Sequence, residues 1–187
     1  MSRFIVNETP IAGLKVIERQ PIGDSRGFLE RLFCQETLAP LIQEKSIRQI
    51  NRTLTRAAGT VRGLHYQRPP FDEIKIVACL KGAVWDVAVD LRKGSPTFLR
   101  HHAVELSERN SQLYLIPEGF AHGFQTLTQD CEMLYFHTAD YNADFEGGCN
   151  ALDPRLGVRW PKPITERSER DNSYPFFSNS FTGIEVL

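Results

Sequence analysis

A chain of 187 residues fits one domain with a sizeable core, because the fraction of surface buried on folding rises with length. Its 22 Lys and Arg residues nearly balance its 23 Asp and Glu residues, so no overall field attracts nucleic acid or an anionic membrane. No apolar run approaches the ~20 residues of a membrane span, and the start lacks a charged segment followed by an apolar one. The sequence therefore predicts a soluble, cytoplasmic protein without nucleic-acid or membrane partners.

The first predicted element is helical and short. The segment 35–39 leads directly into Pro40, and any helix around 41–44 must also be short. From about residue 48 to residue 138 the pattern changes to short runs of alternating apolar and polar residues separated by turn residues. Such runs are typical of half-buried strands.

Three runs in this stretch are dense in β-branched and aromatic residues: Lys75–Leu80, Val84–Asp90 and Leu113–Ile116. Lys81-Gly82 predicts a tight connection between the first two runs. Many short strands with few helices favour a barrel or a sandwich, because an antiparallel sheet hides its apolar face by closing or doubling.

The run at 84–90 raises a question about two carboxylates. Its period of two sends Trp85, Val87 and Val89 to one face and Asp86 and Asp90 to the other. Either this second face is solvated at both ends, or Asp86 points into a barrel lumen. The solvated alternative fits Asp90 better than Asp86.

The chain becomes rich in proline and charge from about Pro154, as in the segment 161–163. We interpret this part as an ordered tail that wraps the barrel. The sequence thus predicts one domain over 1–187, with a barrel core at about 45–140 onto which an N-terminal arm and the C-terminal tail pack.

The four cysteines stand far apart and form no C-x-x-C pair: Cys34, Cys79, Cys131 and Cys149. Their spacing argues against a zinc knuckle or a thioredoxin-like motif. We predict reduced, mostly buried thiols.

Two segments concentrate side chains suited to acid–base chemistry. Arg62 and His65 stand three apart around a glycine, ahead of a strand that carries Lys75, and His122 closes a P-x-G-x-x-H turn. Two cations are costly to bury unless they meet an anion. Imidazole, with an ordinary pKa of about 6.5, can take and return a proton near neutrality, so His65 is a candidate general base. The alternative for either histidine is a buried, hydrogen-bonded residue without a chemical role.

The P-x-G-x-x-H turn is familiar in cupin barrels, many of which bind a metal. A metal cupin supplies an H-x-H pair, a Glu and a third His, because a divalent ion needs three or four converging ligands. Here His65 is followed by Tyr66 and Gln67, so the H-x-H pair is missing. His101 and His102 keep a metal site open as the minor alternative, and we predict no metal and no cofactor.

The chain resembles the dTDP-4-dehydrorhamnose 3,5-epimerase family over nearly its full length. The resemblance rests on several blocks that occur in order and at the family's spacing: 23–28, 49–51, 62–67, 86–92, 94–97, 117–124, 153–154, 160–161 and 168–171. It implies a mainly β fold, a metal-free cupin-type (jelly-roll) double-stranded β-barrel with a few short helices. It also implies a homodimer that holds a nucleoside-diphosphate keto-sugar in its lumen.

The resemblance further implies roles for individual residues. The catalytic base falls on His65, the acid on Tyr135, the carboxylate that orients the base on Asp171, and the cation beside the ketone oxygen on Lys75. The substrate-binding positions fall on Arg26, Glu30, Gln49, Asn51, Arg62, His122, Tyr141, Glu146 and Arg170, with the two arginines Arg26 and Arg62 on the diphosphate and Tyr141 stacked on the nucleotide base.

Two departures from the family pattern bear on these roles. The family segment D-x-R-G-x-F-x-E is one residue shorter here, at 24–30, and a one-residue change reverses the facing of a strand. The placement of Glu30 is therefore open. Thr53 and Thr55 replace the usual serines, which keeps the hydroxyls and adds bulk.

The leading functional hypothesis is epimerisation at C3 and C5 of dTDP-4-dehydro-6-deoxyglucose, by proton abstraction and return through an enolate. Closely related alternatives are epimerisation of one carbon only, or of a CDP- or GDP-linked keto-sugar. More distant alternatives are a metal-dependent cupin enzyme and a non-catalytic sugar-nucleotide binding protein. The last is disfavoured because binding alone needs neither a base nor an acid.

Overall fold

A computed structural model describes residues 3–186, and β-strands account for most of their regular structure. In chain order the strands are β1 (Phe4–Glu8), β2 (Lys15–Arg19), β3 (Ile22–Asp24), β4 (Gly27–Leu29), β5 (Gln49–Thr55), β6 (Val61–Gln67), β7 (Lys75–Lys81), β8 (Ala83–Asp90), β9 (His101–Ser107), β10 (Gln112–Ile116), β11 (Phe120–Thr126), β12 (Cys131–His137) and β13 (Glu146–Gly148).

The helical elements are short, as predicted. Helix α1 (Gln35–Leu38) runs into a 3-10 turn at Ala39–Ile42, and α2 (Glu169–Ser173) lies near the C-terminus. No helix within residues 3–186 is long and apolar enough to cross a membrane.

Two antiparallel sheets form the body of the fold. The larger has the strand order β1-β2-β10-β7-β12-β5, the smaller has the order β13-β6-β11-β8-β9, and β3 and β4 form a separate hairpin. A buried cluster joins Val77 and Tyr114 of the larger sheet to Val84, Ala88 and Phe124 of the smaller one, so the two sheets face each other. The prediction of a mainly β, cupin-type jelly roll is confirmed.

The outer faces of both sheets are also covered. On the larger sheet, Ile76 and Ala78 point away from the lumen and pack on Leu38 and Ile42 of the α1 segment. On the smaller sheet, Val87 and Val89 pack on Leu156 and Ile184, with Phe177, Phe181 and Trp160 beside them. A strand that is buried on both faces needs apolar residues at nearly every position, which explains why β7 and β8 are so rich in them. The C-terminal segment packs on the barrel in the manner we predicted.

The sheets reach beyond the predicted barrel core of 45–140. β1 and β2 pair with each other and then with β10, and β13 pairs with β6. What we predicted to be an N-terminal arm is therefore partly an edge of the larger sheet. β2 carries too little regular alternation in sequence to reveal this.

Asp90 corrects the expectation of a solvated carboxylate at the end of β8. Its side chain is fully buried and accepts hydrogen bonds from Ser95 Oγ at 2.6 Å, Thr97 Oγ1 at 2.6 Å and Arg92 Nη2 at 2.7 Å. Burial acts to raise the pKa of Asp90, but these donors outweigh it and the pKa is lowered. Asp90 therefore organises the turn after β8.

All four cysteines are free, and Cys79, Cys131 and Cys149 are buried. Burial raises the pKa of Cys79 and of Cys149 to about 12, so both are neutral thiols near pH 7. This agrees with the predicted reduced and mostly buried state.

Candidate active site

A cavity of about 540 Å³ opens between the two sheets. Its volume lies within the range of sites for organic ligands. Most of the predicted site residues line it: Gln49, Asn51, Arg62, His65, Lys75, His122, Tyr135, Tyr141, Glu146 and Arg170. Asp171 does not line the cavity but hydrogen-bonds to His65, whereas Arg26 and Glu30 have partners outside the cavity.

A β-bulge brings Arg62 and His65 to the same cavity. Residues three apart in a regular strand face opposite sides of the sheet. In β6, however, His65 pairs with His122 while Arg62 pairs with Phe124, so β6 carries one residue more than β11 over this interval. The extra residue restores a common facing for the cation and the imidazole.

Gly63 lies inside this bulge and has no room for a side chain. Its φ is +113°, and a Cβ would lie 2.7 Å from both Gly123 Cα and His122 O. The backbone N–H of Gly63 donates to Asp171 Oδ2 at 3.1 Å. The glycine therefore permits the close contact of β6 with β11 and supplies a donor to the carboxylate.

His65 and Asp171 form a hydrogen-bonded pair. His65 Nε2 lies 2.7 Å from Asp171 Oδ1, and Asp171 sits on α2, where Ser168 Oγ accepts from the Asp171 backbone N–H. Because a carboxylate only accepts, Nε2 carries the proton and Nδ1 is left as the basic nitrogen. Burial acts to raise the pKa of Asp171, but hydrogen bonds from His65 and Gly63 outweigh it and the pKa is lowered. The imidazole thus faces a carboxylate that is ionised near neutrality.

The larger sheet supplies the facing wall through its strand register. Tyr135 pairs with Asn51 on one side, and His137, two residues further, pairs with Lys75 on the other. All four side chains line the cavity. The Tyr135 hydroxyl lies 3.5 Å from Thr53 Oγ1, and burial raises the pKa of the Tyr135 phenol. Tyr135 is therefore a neutral O–H donor near pH 7.

Lys75 and His137 share a carboxylate that sequence reasoning missed. Glu73 Oε1 lies 3.0 Å from Lys75 Nζ, and Glu73 Oε2 lies 2.7 Å from His137 Nδ1. Burial acts to raise the pKa of Glu73, but Lys75 and His137 outweigh it and the pKa is lowered. His137 lies two positions after Tyr135 on β12, so strand parity could have revealed it, whereas Glu73 lies before the start of β7 and no strand pattern covers it.

A second imidazole–carboxylate pair lies deeper in the lumen. His122 Nε2 is 2.7 Å from Asp86 Oδ1, and the Asp86 side chain is fully buried. The ring of His122 lies 6.3 Å from that of Tyr135, edge to face. Of the two alternatives for Asp86, the lumen-facing one is confirmed.

Polar side chains surround the mouth of the cavity. Glu146 Oε2 accepts from Tyr141 Oη at 2.9 Å and from Arg170 Nη1 at 2.8 Å. Gln49 Oε1 accepts from the Tyr141 backbone N–H at 3.3 Å. Tyr141 is 54% exposed, which leaves its ring free to stack on a planar ligand.

Arg26 and Glu30 do not reach the cavity of their own chain. Arg26 lies on the β3–β4 hairpin with its side chain 87% exposed and pairs with Asp24 at 2.7 Å. Glu30 pairs with the buried Arg19 at 2.7 Å. Neither residue lines the cavity of its own chain, so their substrate-binding roles stay predictions.

The remaining histidines have structural partners. His101 Nδ1 lies 2.9 Å from Leu156 O, and His102 Nδ1 lies 2.9 Å from Tyr114 Oη. Within residues 3–186, no group of three or more His, Cys, Asp or Glu residues is arranged to hold a metal ion.

Together these features define a class of protein. A cupin-type barrel that presents a carboxylate-supported imidazole on one sheet and a neutral phenol on the other has the parts of an acid–base enzyme.

Comparisons with known proteins identify the family. The family model for dTDP-4-dehydrorhamnose 3,5-epimerase matches residues 8–179. A dTDP-4-dehydrorhamnose 3,5-epimerase of Sinorhizobium fredii is 42% identical over 166 residues, which cover 88% of this chain and 85% of the relative. The chain belongs to the dTDP-4-dehydrorhamnose 3,5-epimerase family, and it is an isomerase of the epimerase class.

Solved structures agree with this assignment. The dTDP-6-deoxy-D-glucose-3,5-epimerase of Legionella pneumophila, solved with dTDP-4-keto-L-rhamnose, superposes with a TM-score of 0.91 at 33% identity over 98% of this chain and 99% of that one. A 3'-monoepimerase of Streptomyces bikiniensis, solved with dTDP-quinovose, has a TM-score of 0.82 at 31% identity over 90% of this chain and 85% of that one. The fold is thus shared by enzymes described as acting on one carbon and on two.

Proposed function

We propose that this protein epimerises dTDP-4-dehydro-6-deoxyglucose at C3 and C5. The observation that carries the proposal is the placement of His65 on one sheet and of Tyr135 and Lys75 on the other, with the cavity between them. A sugar ring held between the sheets presents one face to a base and the opposite face to an acid. Removal of a proton from one face and its return to the other is what inverts a carbon.

The chemistry follows from these positions. His65 Nδ1 takes the proton from the carbon next to the 4-ketone, the C–H electron pair forms the enolate, and negative charge develops on O4. Lys75 stabilises that charge, as a fixed cation in a site shielded from water does most effectively. The Tyr135 O–H then protonates the carbon from the other face, and solvent returns a proton to Tyr135 and removes one from His65. Asp171 stabilises the imidazolium between these steps.

The polar mouth suits the nucleotide part of the substrate. We assign the diphosphate to Arg62, whose planar guanidinium can bind phosphate oxygens in a bidentate manner. Gln49, Glu146 and Arg170 lie beside Tyr141, so the nucleotide base would stack on the Tyr141 ring and meet hydrogen-bonding groups at its edge.

The exposed hairpin supports a homodimer in which each chain completes the other's site. Ile22, Phe28 and Leu29 of the β3–β4 hairpin are 50%, 75% and 68% exposed, and Ile50 of the edge strand β5 is 57% exposed. Large apolar side chains exposed to this extent are typical of an interaction surface. In the dimer we assign Arg26 to the diphosphate in the partner's cavity, as a second cation beside Arg62.

The dimer can be tested with Arg26 itself. Arg26→Ala should weaken dTDP binding by about tenfold, because it removes a charge-assisted hydrogen bond to phosphate. Mixing it with the inactive His65→Ala variant should restore activity, since half of the sites in the mixed dimer then combine an intact His65 with an intact Arg26. A monomeric mass in sedimentation, or no recovery on mixing, would contradict the shared site.

The reaction itself is tested by proton NMR of dTDP-4-dehydro-6-deoxyglucose with the enzyme in deuterated water. We expect the C3 and C5 proton signals to disappear, with a His65→Ala enzyme as the control that exchanges neither. Loss at one carbon alone would make this a mono-epimerase, the activity named for the Streptomyces bikiniensis relative. If neither signal is lost, the same measurement on CDP- and GDP-linked keto-sugars tests the choice of nucleotide.

A further inference from the structure

The cavity contains a cluster in which two residues outside the predicted catalytic set, Glu73 and His137, meet the predicted Lys75. The Glu73 side chain is 7% exposed, Lys75 is 13% exposed and His137 is 12% exposed. One carboxylate oxygen faces the ammonium at 3.0 Å and the other faces His137 Nδ1 at 2.7 Å. A buried carboxylate is costly unless donors satisfy it, and here each oxygen has its own donor.

Strand register brings two of these three groups together, and the third lies just before the strand. Lys75 and His137 are cross-strand partners in β7 and β12, and Glu73 precedes Lys75 by two residues. Tyr135 precedes His137 by two residues, and their rings lie 6.1 Å apart at an interplanar angle of 26°. The carboxylate therefore sits on the same wall as the proposed acid and the proposed enolate-stabilising cation.

Hydrogen-bond chemistry fixes the state of the imidazole. Since the Glu73 carboxylate only accepts, His137 Nδ1 carries a proton. His137 Nε2 lies 3.4 Å from the Asn51 side-chain nitrogen, which is a donor. The Glu73 contact thus defines Nδ1 as the His137 nitrogen that carries a proton and donates it.

We propose that Glu73 is a positioning residue for the reaction: it anchors the Lys75 ammonium, and His137 holds the Glu73 carboxylate in the orientation this requires. The inference rests on the proposed function, in which Lys75 stabilises the enolate. A lysine side chain has four rotatable bonds, and its charge is useful to a developing oxyanion only at one position. The carboxylate restricts the ammonium to that position.

The first test is a double-mutant cycle on turnover. Glu73→Gln should lower kcat about 10- to 100-fold, the range for losing a hydrogen bond to a charged group, with KM changed less than about threefold. In a Lys75→Ala background the same substitution should change kcat less than about twofold. Asp72→Asn, the neighbouring carboxylate outside the cavity lining, is the matched control and should match wild type. An equal loss in both backgrounds would show that Glu73 does not act through Lys75.

The second test uses His137 and does not depend on the wild-type enzyme being active on this substrate. Nitrogen-15 NMR should show a proton on His137 Nδ1, and Glu73→Gln should remove that preference. A wild-type ring without a proton on Nδ1 would overturn the proposal, whereas a wild type that exchanges neither C3 nor C5 would overturn only the proposed function. His137→Asn keeps an N–H for Glu73 and should retain kcat within about threefold, while His137→Leu should lose about tenfold or more. Equal kcat for these two variants would exclude the anchoring role.

Discussion

Replacement of Asp171 by asparagine tests the assignment of the base most directly. The substitution keeps the shape of the side chain and removes the negative charge behind His65. The Asp171 side chain is 4% exposed, its Oδ1 lies 2.7 Å from His65 Nε2, and its Oδ2 accepts from the Gly63 N–H at 3.1 Å. We expect kcat to fall by about 10³- to 10⁴-fold with KM changed less than about threefold, because the lost charge matters only after the imidazole is protonated.

The magnitude can be worked from the geometry. A unit positive charge on His65 at 2.7 Å from the carboxylate gains about 6 kcal/mol at an effective dielectric constant of about 20, and partial exposure of His65 lowers this to about 4 kcal/mol. Since about 1.4 kcal/mol corresponds to a factor of ten, the loss is about 10³-fold from charge alone. A change in the tautomer of His65 adds to this loss of kcat. Gly63 N–H requires an acceptor, so the asparagine amide nitrogen would face Nε2 and leave the proton on the basic nitrogen Nδ1.

The assay is loss of the C5 proton signal in deuterated water under saturating substrate. Glu169→Gln is the matched control, because it makes the same carboxylate-to-amide change on the exposed side of α2. Thermal unfolding establishes that both variants are folded. A folded Asp171→Asn enzyme that keeps kcat within tenfold of wild type would refute the assignment of His65 and Asp171 as a working pair.

Three further predictions concern the acid, the pH response and the bulge. Tyr135→Phe should bind dTDP as wild type does in calorimetry, but should form product about 100-fold more slowly, while His65 still exchanges substrate protons with solvent. If proton exchange and product formation fell equally, Tyr135 would not be the acid. Asp90 has a lowered pKa, so its contribution to stability is complete above about pH 4 and is lost as the pH falls through the pKa of the folded state. Urea unfolding measured from pH 7 to pH 2 should show this loss. In Asp90→Asn, the free energy of unfolding should depend less on pH over the same range. Gly63→Ala should lower the free energy of unfolding by about 2–4 kcal/mol, because the new Cβ would lie 2.7 Å from His122 O and from Gly123 Cα. Gly94→Ala is the control. Its φ is +74° but the space around it is open, so the same denaturation assay should show a loss of about 1 kcal/mol.

The fold was predictable where composition and periodicity agreed. The runs at 75–80, 84–90 and 113–116 are all strands, within one residue of the predicted bounds. Their sequences are rich in β-branched residues, and tertiary packing on both faces reinforces that preference instead of overriding it. The edge strand β1 was missed because an edge strand buries less and so carries a weaker pattern, and its neighbour β2 is a five-residue strand without regular alternation.

The two acidic residues of β8 show where local sequence stops being informative. Asp86 and Asp90 have the same parity, and both are fully buried. Asp86 is held by His122, and Asp90 is held by the turn that follows it. Solvation of Asp90 was the simpler expectation because its donors come from a loop whose conformation no strand periodicity describes.

Arg26 and Glu30 mark a limit of another kind, because the family resemblance implies that the segment around Arg26 reaches the site of a partner chain. Each has an intrachain partner, Asp24 and Arg19, that no motif predicts. The hairpin between them exposes apolar side chains that a single chain leaves uncovered. In the homodimer that we propose, Arg26 reaches the cavity of the partner chain.

Strand geometry explains which cavity residues the sequence could predict and which it could not. Strict alternation would have separated Arg62 from His65, and their convergence depends on a bulge that the pattern Arg-Gly-Leu-His alone does not reveal. His137 has the same parity as Tyr135 on β12, yet it belongs to no motif block. A search by register, two positions along the strand from Tyr135 or one across from Lys75, would have found His137. Glu73 lies just before β7, where no strand pattern describes the chain, so only the structure reveals its contacts.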